Sequence, residues 1–142
     1  MKNFDSFDPS WENRYKANPK YRNHYPWSFI VSFVFENKPK GKNHSDINIL
    51  EVGCGNGNNL WFAAREGFKV FGIDGSQTAI DYAKDWFERE GLSGEFRVGD
   101  YSSLPFKEES FDFVLDRSAL TFCGKPAVEN AVNEIWRVLR KK

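Results

Sequence analysis

Three glycines at alternate positions, Gly53, Gly55 and Gly57, stand just past the apolar run 47–52. Glycine takes positive φ without penalty and has no Cβ to hold a ligand off the main chain. This spacing therefore suits a loop whose backbone closes on a bound molecule. Asp74 lies 21 residues beyond Gly53, at the end of a second apolar run. Its reach suits two hydrogen bonds from a ribose diol; alone it would more often be read as the cap of a helix, here the one near Gln77. With the glycine loop upstream, the diol reading is favoured. Two further acidic residues end apolar runs in the same way, Asp100 before Tyr101 and Asp116 before Arg117 and Ser118, and Glu51 precedes the glycines directly.

Other chemistries find less support. His24 and His44 are the only histidines and share no ligand-like spacing, so no metal site is expected. Cys54 has no base beside it in sequence and contributes small size rather than nucleophilicity. Cys54 and Cys123 lack CxxC spacing and read as reduced cytosolic thiols. The opening Met1-Lys2-Asn3-Phe4-Asp5 has no apolar signal core, and the longest near-apolar run, 27–35, is about half the roughly 20 residues of a membrane helix. Twenty basic and twenty acidic residues cancel, which argues against a broad field for nucleic-acid phosphates.

The elements that must position these residues alternate. With 142 residues, 40% of them hydrophobic, the chain suits one core. Strands are expected at 47–52, 69–73, 96–98 and 111–115, and helices at 58–66 and 77–90, with a last helix from Pro126. That last helix is expected to bury Ala127, Val128, Ala131, Val132, Ile135, Trp136 and Leu139. Upstream, Ser10 caps a short helix, and Pro26 opens another in which Trp27, Ile30, Val31, Val34 and Phe35 share a face and Phe29 and Phe33 add a second covered stripe. A strand is the competing reading there, because β-branched and aromatic residues dominate the run. Repeated strand-helix units imply an α/β fold, a doubly wound, mainly parallel sheet in three α/β/α layers. Residues 1–45 form an N-terminal helical cap segment and 46–142 the core. Ligands of such sheets bind beyond the C-terminal strand ends, where the glycines and acids stand.

These motifs, in order, resemble those of the class I S-adenosylmethionine (SAM)-dependent methyltransferases of Rossmann-like fold. Ile49-Leu50-Glu51-Val52-Gly53-Cys54-Gly55-Asn56-Gly57 is similar to the family's first motif, and Phe71-Gly72-Ile73-Asp74-Gly75-Ser76 to the segment after it. Gly99-Asp100-Tyr101 resembles the adenine-binding stretch, and the run 110–116 the fourth strand. The resemblance implies SAM as cofactor. The backbone of Gly53, Cys54, Gly55 and Gly57 would line its methionyl part, Glu51 its ammonium, and Asp74 with Gly75 its ribose. Asp100 and the Tyr101 amide would meet adenine, and Asp116 to Ser118 the methyl group and a small-molecule acceptor. Asp112 reads as a solvated turn residue. If the acceptor must lose a proton, Asp116, Tyr25 and His24 are the candidates for its base. A nicotinamide enzyme is the rival, but its GxGxxG pattern would put glycine at 58, where this sequence has Asn.

A family member would continue into a fifth strand and an antiparallel pair. The expected sheet lacks these last strands, leaving strand four with an open edge; a fragment of a longer chain, a truncated gene product, or a dimer that covers the edge would each account for it. A non-catalytic SAM-binding module is therefore the alternative to a small-molecule methyltransferase. The aromatics and cations of the N-terminal segment, Trp11 and Tyr15 to His24 and Trp27, read in two ways: a cap over the cofactor that shapes an acceptor or anion pocket, or a partly packed arm with a solvated basic face.

Overall fold

The computed structural model describes residues 3–141; Met1, Lys2 and Lys142 lie outside the described residues. Four strands, β1 (Asn48–Val52), β2 (Lys69–Asp74), β3 (Glu95–Val98) and β4 (Phe113–Asp116), form a parallel sheet in the order β3-β2-β1-β4. The helices are α1 (Ser10–Ala17), α2 (Ser28–Asn37), α3 (Asn58–Arg65), α4 (Gln77–Arg89) and α5 (Lys125–Val138). β1 is buried without alternation because helices cover both its faces: Ile49, Leu50 and Val52 are wholly buried. Ile49 packs with Leu60, Ile80, Ala83 and Phe87 from α3 and α4 and with Ile30 and Val34 from α2. On the opposite face Leu50 and Val52 meet Phe111, Ala131 and Val138. The expected α/β/α sandwich is thus the observed one.

The register brings the chemistry to one rim. Val52 lies beside Ile73 on one side and Asp116 on the other, and Asp74 beside Val98. The chain steps outward from β1 to β2 and β3, then returns to the other side of β1 for β4. The switch point of the sheet therefore lies at the loop after β1.

Several expectations need correction. In α5 the buried residues are Ala127, Ala131 and Val138, one face at helical spacing. Val132 and Trp136 belong to the next stripe and are exposed. In α2 only Ile30 and Val34 are buried, and Phe29 and Phe33 are exposed rather than covered. That helix starts at Ser28, because the Trp27 N–H donates to Asn59 Oδ1 at 3.0 Å and holds Trp27 extended. Asp112 is no solvated turn residue. Its side chain is 6% exposed, accepts from Lys42 Nζ and the Asn48 N–H, and pairs with Arg140. It pins the connector before β1 to the start of β4. Strand four begins at Phe113, while Phe111 bridges in parallel to Leu139. Beyond that bridge, the outer edge of β4 pairs with no strand among the described residues.

Candidate functional site

A cavity of about 300 Å³ opens at the C-terminal ends of β1 and β2. Glu51, Gly53, Cys54, Gly55, Asp74 and Tyr101 all line it, so most of the expected cofactor set converges on one space. Gly57, Gly75, Asp100 and Asp116 do not line it. The glycine loop has the shape its sequence requires: Gly53 and Gly55 have φ of +63° and +53°. A Cβ on Gly53 would collide with that of Ala119, and one on Gly55 with the Tyr15 hydroxyl. Gly57, also at positive φ, precedes α3.

Asp74 ties the loop to β2. Its Oδ2 accepts from the Gly55 N–H and its Oδ1 from the Ser76 N–H, both at 2.8 Å. The cap of α4 is Ser76, whose Oγ accepts from the Ala79 N–H, so the capping role considered for Asp74 falls to its neighbour. Burial pushes the Asp74 carboxyl up to about 6, against the pull of those two N–H groups. Each carboxylate oxygen keeps a lone pair for a donor in the cavity. Cys54 is buried, and burial raises its thiol well above the ordinary range, in keeping with a packing role.

Glu51 is 2% exposed. Its Oε1 accepts from Asn59 Nδ2 at 2.7 Å, and its Oε2 has no partner among the described residues. Burial pushes this carboxyl up to about 8, opposed by the Asn59 hydrogen bond and reinforced by the charge of Asp74. A cation entering the cavity would find here a carboxylate oxygen with nothing else to satisfy it.

Sequence reasoning missed the asparagines of the loop. Asn56 Nδ2 donates to the Asn23 carbonyl, Asn58 Nδ2 to the Tyr25 carbonyl, and Asn59 Oδ1 accepts from the Trp27 N–H. They grip alternate residues of the segment before α2. The signal was the run Asn56-Gly57-Asn58-Asn59 itself: three amides beside a glycine loop need backbone partners, and no helix supplies them.

The N-terminal arm lies over the same rim. Glu12 of α1 is buried and accepts from the Ser76 and Thr78 hydroxyls, with Lys16 beside it. Burial works against its charge, yet these hydrogen bonds outweigh it and hold the carboxyl down at about 2. Its folded pKa is depressed, so its stabilisation is present above the unfolded value near 4.5 and is lost as pH falls towards 2. Glu12→Gln is expected to make the arm accessible to protease at neutral pH, and the native arm only below about pH 4. Limited proteolysis across that range checks both.

Ser6 occupies the Asp100-Tyr101 corner. Its Oγ donates to Asp100 Oδ1 at 2.6 Å and accepts from the Tyr101 N–H at 3.2 Å, while the Asp5 N–H takes Asp100 Oδ2. The Tyr101 hydroxyl donates to the Ser6 carbonyl. Burial opposes the charge of Asp100, but hydrogen bonds from Ser102 and Ser6 keep its carboxyl below the usual range. Phe7 covers Gly75, where an added Cβ would strike its ring.

The three candidate bases are not brought together. His24 packs its ring edge-on to Trp86, Tyr25 is 79% exposed, and neither lines the cavity. Asp116 Oδ1 accepts from the Ala119 and Leu120 N–H groups, and burial raises its carboxyl against those bonds. No group of three His, Cys, Asp or Glu suited to a metal ion occurs among the described residues. None of the described helices is long and apolar enough to cross a membrane.

Residues 49–142 match the family described as methyltransferase domain. Squalene methyltransferase 1 of Botryococcus braunii is 30% identical over 139 residues, which cover 82% of this chain and 36% of the relative. Sterol 24-C-methyltransferase of Pneumocystis carinii is 33% identical over 95 residues, covering 65% of this chain and 25% of the relative. The chain thus spans about a third or less of the length of these curated relatives. Among solved structures, a TehB-like SAM-dependent methyltransferase from Corynebacterium glutamicum superimposes with TM-score 0.70 at 25% identity, covering 93% of this chain and 68% of that one. A protein solved in connection with conversion of a disulfide bond into a thioacetal group during echinomycin biosynthesis gives TM-score 0.78 at 26% identity, covering 92% of this chain and 55% of that one.

Proposed function

The chain belongs to the class I SAM-dependent methyltransferase family, whose cofactor is SAM, and from that premise we propose that it transfers a methyl group to a small-molecule acceptor. The observation that carries this reading is the convergence of Glu51, the glycine loop and Asp74 on one cavity at the switch point of the sheet. SAM would supply a methyl group already activated on a sulfonium. The chain's residues then have to bind, align and shield, and positioning of this kind is worth up to about 7–11 kcal/mol. In this reading Glu51 receives the cofactor's ammonium through Oε2, and Asp74 receives the ribose hydroxyls through its remaining lone pairs. Tyr15, whose hydroxyl closes on Gly55, and Trp11 shield the space from water.

The acceptor side is aromatic. Tyr21, Trp27 and Phe122 line the cavity while remaining exposed, and Trp11 meets Phe122 edge-on with ring centroids 5.2 Å apart. Such walls favour an acceptor with an apolar body, in line with relatives named for squalene and sterols. If the acceptor carries a proton that must leave, Asp116, at the end of β4 and directly before the cavity-lining Arg117 and Ser118, is the base in this reading. A second copy pairing along the open edge of β4 belongs to the same proposal, and light scattering reads it.

Calorimetry with SAM and S-adenosylhomocysteine, followed by methyl transfer to a panel of apolar acceptors, tests the proposal. Absence of cofactor binding would sink it; binding without turnover across the panel would make the chain a cofactor-binding module. In this reading the adenine amino group takes the place that Ser6 Oγ holds on Asp100. Ser6→Ala is then expected to tighten S-adenosylhomocysteine binding several-fold, because the incoming base displaces two fewer hydrogen bonds. Weaker binding by this variant would show instead that Ser6 contacts the cofactor.

A further inference from the structure

Arg117 follows β4 directly and, among the described residues, is the only basic one lining the cavity. Five other arginines, Arg65, Arg89, Arg97, Arg137 and Arg140, pair with a carboxylate of the chain. The half-buried Arg117 side chain makes no hydrogen bond or ion pair among the described residues, and its guanidinium stacks 3.9 Å from the centroid of the Trp27 ring. Stacking on an indole holds the guanidinium plane while leaving its edge N–H groups open.

The stack is not adventitious in its placement. Trp27 is held by Asn59, and the same Asn59 holds Glu51, whose Oε2 is unpartnered. One side-chain connection therefore sets an open carboxylate oxygen and an open guanidinium on the same cavity. The charge of Arg117 is felt at Glu51. We infer that Arg117 binds a carboxylate in this cavity through its paired N–H groups. A planar carboxylate matches the guanidinium fork. A dianion such as phosphate would face the carboxyl groups of Glu51, Asp74 and Asp8 on the same walls.

Two molecules could bring that carboxylate: the methionyl end of the cofactor, beside the ammonium assigned to Glu51, or the acceptor. The first source rests on the proposed cofactor reading; the second does not. The test compares the native chain with Arg117→Gln and Arg117→Lys, each checked for folding by circular dichroism. Calorimetry with S-adenosylhomocysteine is set against methylthioadenosine, which lacks the amino-acid end. Tryptophan fluorescence with phenylacetate is set against neutral phenylacetamide, with and without S-adenosylhomocysteine. If the cofactor is the source, Arg117→Gln loses about tenfold or more for S-adenosylhomocysteine and nothing for methylthioadenosine, and Arg117→Lys recovers part of the loss. If the acceptor is the source, cofactor affinity holds, and only the preference for phenylacetate over its amide disappears. Equal losses for both nucleosides, or no change in either comparison, would overturn the inference. Failure of the native chain to bind either nucleoside would sink the cofactor reading, leaving the phenylacetate comparison to decide on Arg117.

Discussion

Replacing Asp74 by alanine is expected to weaken S-adenosylhomocysteine binding by about 100-fold or more, the largest loss of any single substitution in the cavity. Two contributions add. Each hydrogen bond from a ribose hydroxyl to a carboxylate is worth roughly 1.5–3 kcal/mol, so losing two costs about 3–6 kcal/mol, or two to four orders of magnitude in Kd. The carboxylate also anchors the loop, since it takes the N–H groups of Gly55 and Ser76 at 2.8 Å each. Alanine leaves both donors without a partner at a site where Asp74 is 7% exposed. Loop disorder should therefore accompany the lost affinity, seen as faster amide exchange at Gly55. Asp74→Asn distinguishes the two contributions. Its amide keeps one acceptor oxygen but turns an NH2 towards one of the backbone donors, so its affinity should fall between alanine and the native chain. Equal binding by Asp74→Ala and the native chain would end the ribose assignment.

How much of this site the sequence displayed depends on how local each determinant is. The glycine spacing, Glu51 and Asp74 were legible because a strand end, a tight turn and a helix start follow one another within a few residues, and only glycine fits the turn. That the strands run parallel was legible from the alternation of strands and helices; their order in the sheet was not. The buried face of α5 was misjudged, since Val128, Val132 and Trp136 are as apolar as the residues that pack, and only the position of β4 beside Phe111 and Val138 selects Ala127 and Ala131 as the inner face. Asp112 was misread for a similar reason. Its partners Lys42 and Arg140 are far away in sequence on both sides, and a carboxylate in a turn looks solvated until they arrive. The arm was the least legible part. Ser6 on Asp100 and Glu12 on Ser76 join residues more than sixty positions apart, with no periodicity to announce them.

Affinity for S-adenosylhomocysteine is expected to rise with pH by up to about tenfold per unit between pH 6 and 8 and to level off above. Burial holds the Glu51 carboxyl at about 8 in the unliganded chain, so near neutral pH much of it carries a proton. An ammonium beside Oε2 favours the carboxylate, and binding must therefore expel that proton. Below pH 8 each unit adds about 1.4 kcal/mol to the cost of doing so. Calorimetry at pH 7 in buffers of different ionisation enthalpy should show close to one proton released. Methylthioadenosine, with no ammonium, should release none from this group. Asp74, at about 6, steepens the dependence only below that pH. The same shift acts on stability with a definite sign. The folded pKa of Glu51 lies above its unfolded value near 4.5, so the unliganded fold binds the extra proton and loses stability as pH rises from about 4.5 to 8. Glu51→Gln, neutral throughout, should gain Tm over the native chain as pH approaches 8, while its cofactor affinity becomes flat between pH 6 and 8. A native affinity that does not change across that interval, or a slope that survives in Glu51→Gln, would remove Glu51 from the ammonium.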